Sequence, residues 1–208
     1  MPWLRITQNK TMKKNVGIFI FDDAEVLDFA GPFEVFSVTS QINNNALFNV
    51  FTVSKENKTI AAVNGLLVTA NFTFADHPAI DILVISGGQG TKKILKDIAV
   101  LSWLEVIHKK ASLVLSVCSG ARLLATLGLL DNKPFCTHHQ VYEHIKEIAP
   151  SSIPVTTKRF MQTDDKTYTS GGISAGIDLS FHIVEKLLGK EIAANTARYM
   201  EYSYHSFE

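Results

Sequence analysis

Three short stretches of this chain are apolar at almost every position: residues 16–21 (VGIFIF), 82–85 (ILVI) and 113–117 (LVLSV). A strand with one face in water alternates apolar and polar residues, whereas a strand apolar throughout must be covered on both faces. That is the situation in a parallel sheet sandwiched between helices. The intervening segments fit this requirement. A helix is predicted to start near Pro32, because proline suits a first helical turn, with Asp28 in the loop before it. Residues 92–109 carry an amphipathic helical pattern, a helix follows directly from Cys118, and another surrounds residues 139–148. Two closing helices are predicted over 174–188 and 191–204, separated by Gly189. Residues 48–53 alternate as a second strand, and residues 59–70 read as a hairpin turning at Asn64-Gly65. Short strands occupy 135–170, with Asp164-Asp165 as a hairpin turn. Strands alternating with helices give an α/β fold with a doubly wound, mostly parallel sheet and helices on both faces. The 208 residues suit one such domain. It is assigned to residues 12–208, with residues 1–11 as a loose N-terminal extension.

Composition narrows the function. Twenty acidic residues balance twenty basic ones, so no global field draws the chain to nucleic acid or to an anionic membrane, and a small molecule is the expected partner. No apolar run approaches the roughly 20 residues of a bilayer span. The two cysteines, Cys118 and Cys136, are too few for a disulfide framework, which points to reduced thiols in a cytoplasmic protein. The histidines show no H-x-x-x-H spacing or acidic partner, so neither a metal nor a cofactor is expected.

The chemistry-bearing feature is Ser116-Val117-Cys118-Ser119-Gly120, a cysteine at a strand-to-helix junction with small residues two places to either side. This is the steric pattern of a nucleophile elbow. A thiol there projects into a pocket, and the first-turn amides and helix dipole are expected to lower its pKa. The bland alternative is a buried, inert cysteine packed as a small hydrophobe. Asp28 is the candidate proton partner, since a carboxylate within the apolar run Val26-Leu27-Asp28-Phe29-Ala30 at the carboxyl edge of strand one needs a reason. Burial would raise its pKa and make it a general acid and base; the alternative is a helix N-cap. In the glycine-rich turn Ser86-Gly87-Gly88-Gln89-Gly90, the amide of Gly88, together with that of Ser119, is a candidate oxyanion hole, or the turn is simply a tight turn. His138 and His139 are candidates for the same edge, with surface or capping duty the commoner outcome.

Together these residues resemble the ThiJ/PfpI superfamily of class I glutamine-amidotransferase-like proteins, and within it the isocyanide hydratase branch. The motifs are Leu27 to Pro32 (LDFAGP), Ile85 to Gly90 (ISGGQG), Ser116 to Ala121 (SVCSGA), Leu127 to Leu130 (LGLL), Thr137-His138 and Ser170 to Asp178 (SGGISAGID). The resemblance implies a flavodoxin-like fold, a homodimer, and a carboxylate from the first loop touching the cysteine sulfur. In the hydratase branch a cysteine thiolate attacks the terminal carbon of an isocyanide, an aspartic acid moves the proton, and water releases an N-formamide. Cys118 matches the nucleophile, Asp28 the acid and base, and Ser119 a threonine whose hydroxyl supports the site. Ile173 falls in the glycine-rich turn beside the substrate. Serine rather than histidine follows Cys118, which departs from the peptidase-like and glyoxalase-like branches. The sensor domain of AraC-type regulators shares the cysteine motif, so a non-catalytic small-molecule or redox sensor is the second reading, ahead of an amidase or peptidase-like activity.

Overall fold

The computed structural model describes residues 13–203; the extension assigned to residues 1–11 lies outside them, and the helix predicted to reach 204 ends at Tyr199. Eleven strands are described: β1 Lys14–Phe19, β2 Phe48–Ser54, β3 Thr59–Ala61, β4 Leu67–Thr69, β5 Phe72–Thr73, β6 Ile82–Ile85, β7 Leu113–Ser116, β8 Pro134–Phe135, β9 Ile153–Pro154, β10 Phe160–Gln162 and β11 Thr167–Ser170. Seven α-helices accompany them: α1 Val26–Gln41, α2 Thr91–Ile94, α3 Ile98–Lys110, α4 Ala121–Thr126, α5 Tyr142–Ile148, α6 Ala175–Leu188 and α7 Lys190–Tyr199.

The main sheet has the order β10-β11-β7-β6-β1-β2-β5. Every neighbouring pair is parallel except β10 with β11, which form the hairpin turning at Asp164 and Asp165. This is the flavodoxin-like, doubly wound arrangement. The central strands carry the continuous apolar runs, and all four residues of β6 and of β7 are buried, as a strand covered on both faces requires. The chain passes from β1 outward to β2 and later returns to place β6 on the other side of β1. That reversal opens a crevice at the carboxyl ends of β1 and β6, the position where open α/β sheets bind ligands.

The structure corrects three local expectations. Helix α1 begins at Val26, a turn earlier than Pro32, so Asp28 sits in its first turn and Pro32 lies inside the helix. A proline four residues after Asp28 has no N–H to give the Asp28 carbonyl, but the preceding turn is otherwise free to be helical. Asp28 is not the cap either: the N-cap residue is Glu25, and no side chain caps it. The helical pattern over 92–109 is two helices, because the Asp97 carboxylate accepts from the amides of Ala99 and Val100 and starts α3 afresh. The two-residue β5 was not anticipated; it pairs only at Val53 and Ser54 on the sheet edge.

The hairpin β3–β4 turns where predicted, with Asn64 at φ 63° and Gly65 at φ 86°. Helices α1, α6 and α7 pack on one another. Near β1, Phe19 meets Trp103 of α3 at a centroid distance of 5.4 Å, and Trp103 stacks on Phe74 at 4.1 Å.

Candidate active site

Cys118 follows β7 without a loop. It opens a 3-10 turn, Cys118–Gly120, that runs straight into α4, and its φ is +56°. A non-glycine residue in that region is strained and persists only where its surroundings fix it. Both of its backbone groups are held from elsewhere: the amide donates to the Gly171 carbonyl at 3.2 Å, and the carbonyl accepts from the Thr137 hydroxyl at 2.7 Å. The small residue two places on is explained by contact, since a Cβ on Gly120 would lie 2.6 Å from the Ile85 carbonyl oxygen. Strand-to-helix compression at this elbow therefore leaves no room for a side chain there.

The sulfur lies at the wall of a cavity of about 320 Å³ at the carboxyl edge of the sheet. Gly88, Ser119 and Ile173, all singled out from the sequence, line it, as do His138 and two residues the sequence reading did not select, Glu25 and Arg122. His139 is not among the lining residues, but its ring lies tilted against that of His138 with centroids 4.2 Å apart. Gly172 closes the other side of the thiol: a Cβ there would stand 2.5 Å from the Cys118 sulfur and 2.9 Å from the His138 ring.

Asp28 is wholly buried. One carboxyl oxygen, Oδ2, accepts from the Gly87 amide at 3.1 Å, while Oδ1 has no nitrogen or oxygen partner. The thiol of Cys118 is the side chain that interacts with this carboxyl. Burial, offset in part by the thiol, with Glu25 adding repulsion, raises the Asp28 pKa to about 7. A carboxyl with an unpartnered oxygen and no cation beside it holds its proton near neutrality.

The expected lowering of the thiol pKa is not found. Burial pushes the Cys118 thiol up, and the Asp28 carboxylate adds to that, against a smaller opposing contribution from the Ser119 amide. The helix that was to stabilise the thiolate is six residues long behind a 3-10 turn, and its field does not repay desolvation. Cys118 and Asp28 are thus two buried weak acids, each opposing ionisation of the other, and they titrate as a pair.

The proposed oxyanion hole is corrected as well. The Gly88 amide donates to Ser119 Oγ at 2.8 Å, and the Ser119 amide is engaged by the Cys118 sulfur, so neither points free into the cavity. Ser119 Oγ in turn donates to the Gly88 carbonyl at 3.0 Å, which locks the glycine turn onto the elbow. Thr91 joins the same knot, its hydroxyl donating to the Gly88 carbonyl at 2.8 Å and accepting from Arg122 Nη1 at 2.9 Å.

Thr137 and Gly172 were visible in the sequence only as motif letters, and the contacts above give them their reasons. Arg122 carried a signal that was passed over: a charged residue in a helix otherwise built from Ala121, Leu123, Leu124 and Ala125, all buried. Both cysteines are free; Cys136 is buried away from the cavity with its thiol directed at the Val155 carbonyl at 3.4 Å. Among the described residues no cluster of three or more His, Cys, Asp or Glu side chains is placed to hold a metal, and no helix is long and apolar enough to cross a membrane.

The chain is similar to known proteins over most of its length. The isonitrile hydratase of Pseudomonas putida is 28% identical over 192 residues, spanning 92% of this chain and 80% of its own. The HTH-type transcriptional regulator GbdR of Pseudomonas aeruginosa is 24% identical, spanning 87% of this chain but only 48% of the regulator. Among solved structures, a ThiJ/PfpI family protein from Pseudomonas syringae superposes with a TM-score of 0.82 at 24% identity, covering 99% of this chain and 83% of that one. Drosophila melanogaster DJ-1beta superposes at 0.78 with 18% identity, covering 93% and 100%. Residues 14–186 match the DJ-1/PfpI family throughout, and the chain belongs to that family.

Proposed function

We propose that this chain is a cysteine-dependent hydratase of a small carbon–nitrogen substrate, acting on an isocyanide. One observation carries the reading: a fully buried carboxyl, Asp28, with an unpartnered oxygen and a pKa near 7, stands against the thiol of Cys118 at the wall of a cavity. Similarity to the P. putida isonitrile hydratase over most of both chains supports it.

The working form is the pair carrying a single proton. Cys118 sulfur bonds to the terminal carbon of the isocyanide, and the pair's proton passes through Asp28 to that same carbon, giving a thioimidate and an Asp28 carboxylate. Water adds to the carbon next; Asp28 takes one of its protons and delivers it to nitrogen. Collapse of the adduct forms the C=O bond, breaks the C–S bond, and returns the hydroxyl proton to the pair, releasing an N-substituted formamide. A carboxyl with a pKa near the working pH suits both directions of this transfer. Ser119 holds the glycine turn against the elbow, and Ile173, 39% exposed, offers an apolar wall to the substituent on nitrogen.

The test is consumption of an aryl isocyanide by purified protein with stoichiometric formamide. Turnover that vanishes in Cys118→Ala supports the reading, and a protein that consumes no aryl or alkyl isocyanide removes it.

The second reading, a non-catalytic sensor, draws on the raised rather than lowered thiol pKa and on the similarity to GbdR. It predicts saturable binding of a small molecule in this cavity with no turnover.

A further inference from the structure

We propose that the substrate of this pocket carries a carboxylate and that the guanidinium of Arg122 binds it. The inference specifies the ligand class of the site described above and rests on that reading for the reaction, though not for the binding itself.

Arg122 is 95% buried, since only 5% of its surface is exposed, yet it has no ionic partner. Its Nε donates to His144 Nδ1 at 3.0 Å and its Nη1 to the Thr91 hydroxyl at 2.9 Å, neither of them a carboxylate. Among the described residues no carboxylate lies within ion-pair distance of it. Nη2 makes no hydrogen bond and is not sealed in the protein interior, and Arg122 lines the cavity beside Cys118. Buried charges are normally paired, and a guanidinium presents its donors in a planar fork suited to a carboxylate. The counter-charge is therefore left for a ligand to supply.

Placement sets the distance between that charge and the reacting atom. Cys118 opens the 3-10 turn that runs into α4 and Arg122 is the second residue of α4, so the two side chains come from one short stretch of chain and line the same cavity. A molecule whose carboxylate sits on Arg122 brings to the sulfur a carbon only a few bonds away. The class is a short isocyano acid, with the isocyano group on the carbon next to the carboxylate or one beyond. Lys92, exposed at the rim and in no ion pair among the described residues, adds positive charge at the entrance; Glu25, the acid lining the cavity, repels an anion from its own side and so favours the Arg122 side.

Acceptors on His144 and Thr91 are also what a purely structural arginine would hold, and the experiment separates these roles. Isocyanoacetate and its methyl ester are titrated calorimetrically into Cys118→Ala protein, where no chemistry follows binding. The anion is expected to bind roughly 10- to 100-fold more tightly than the ester, the range a charge-assisted hydrogen bond gives. The preference should shrink to near unity in Arg122→Met and be partly retained in Arg122→Lys. If Arg122→Met does not fold, the same preference measured in Cys118→Ala protein at rising salt decides, and it should fall. Equal binding of ester and anion, or a preference unchanged in folded Arg122→Met, overturns the proposal. Tight anion binding without turnover in the Cys118-containing protein would remove the hydratase reading and leave this inference standing.

Discussion

The hydroxyl of Thr137 donates to the carbonyl of Cys118, nineteen positions earlier in the chain, at 2.7 Å. This bond and the one from the Cys118 amide to Gly171 hold the cysteine at positive φ. Replacing Thr137 by valine keeps the shape and leaves a buried carbonyl unpaired, at a cost of about 1–3 kcal/mol. Urea unfolding should show that loss. Turnover per folded molecule should fall as well, because the sulfur is no longer fixed against Asp28.

Gly172 gives a steric counterpart. A methyl group there would stand 2.5 Å from the Cys118 sulfur, so Gly172→Ala must push the sulfur or the turn aside. Alkylation of Cys118 and turnover of any substrate should both drop roughly tenfold or more, the order expected when reacting atoms are displaced by about 1 Å. The melting temperature should change little, since the cavity wall can yield.

Burial of Asp28 makes stability depend on pH in a defined direction. Its folded pKa, about 7, is above the ordinary aspartate value of 3.8, so the folded protein binds a proton that the unfolded chain has released between those values. The associated stabilisation is fully present below pH 3.8 and is lost as pH rises through 7. Asp28→Asn removes this dependence: near pH 4 the two proteins should be similarly stable, and at pH 8 the variant should be more stable by roughly 2–4 kcal/mol, at 1.36 kcal/mol per pKa unit. Chemical denaturation at the two pH values checks the sign. A wild-type protein more stable than the variant at pH 8 would contradict a strained, buried carboxylate.

The thiols differ in access rather than in acidity. Both are pushed up by burial, Cys136 to about 11, but only Cys118 borders the cavity. Iodoacetamide at neutral pH should label Cys118 ahead of Cys136, and more slowly than it labels a free thiol. Mass spectrometry of partially labelled protein reads both rates.

The sheet was legible because burial on both faces leaves a local trace: the apolar runs at 16–21, 82–85 and 113–117 fall on β1, β6 and β7. The Asn64-Gly65 and Asp164-Asp165 turns were legible for the same reason, their backbone geometry being written in the residues themselves. What failed to read was set by contacts between distant segments. Pro32 looked like a helix start because a proline is compatible with either place. The break before α3 hid under a hydrophobic pattern that runs through Asp97. The thiol's ionisation was misjudged because the helix field is visible in sequence while the burial of Cys118 and the repulsion from Asp28 are not. Arg122 was passed over because an arginine on a helix ordinarily faces water, and only the packing of α4 shows that this one does not.

The proton-sharing pair of Cys118 and Asp28 is the centre of this account, and the pH dependence of isocyanide hydration tests it most directly. In the wild-type protein kcat/KM should rise with pH through about 7, as the pair loses the first of its two protons and reaches the singly protonated form. In Asp28→Asn, with its fold verified by melting temperature, that limb should disappear and turnover should fall by roughly 10²- to 10⁴-fold, as when a general acid and base is lost. An Asp28→Asn protein that hydrates isocyanides at the wild-type rate with the same limb would contradict the assignment.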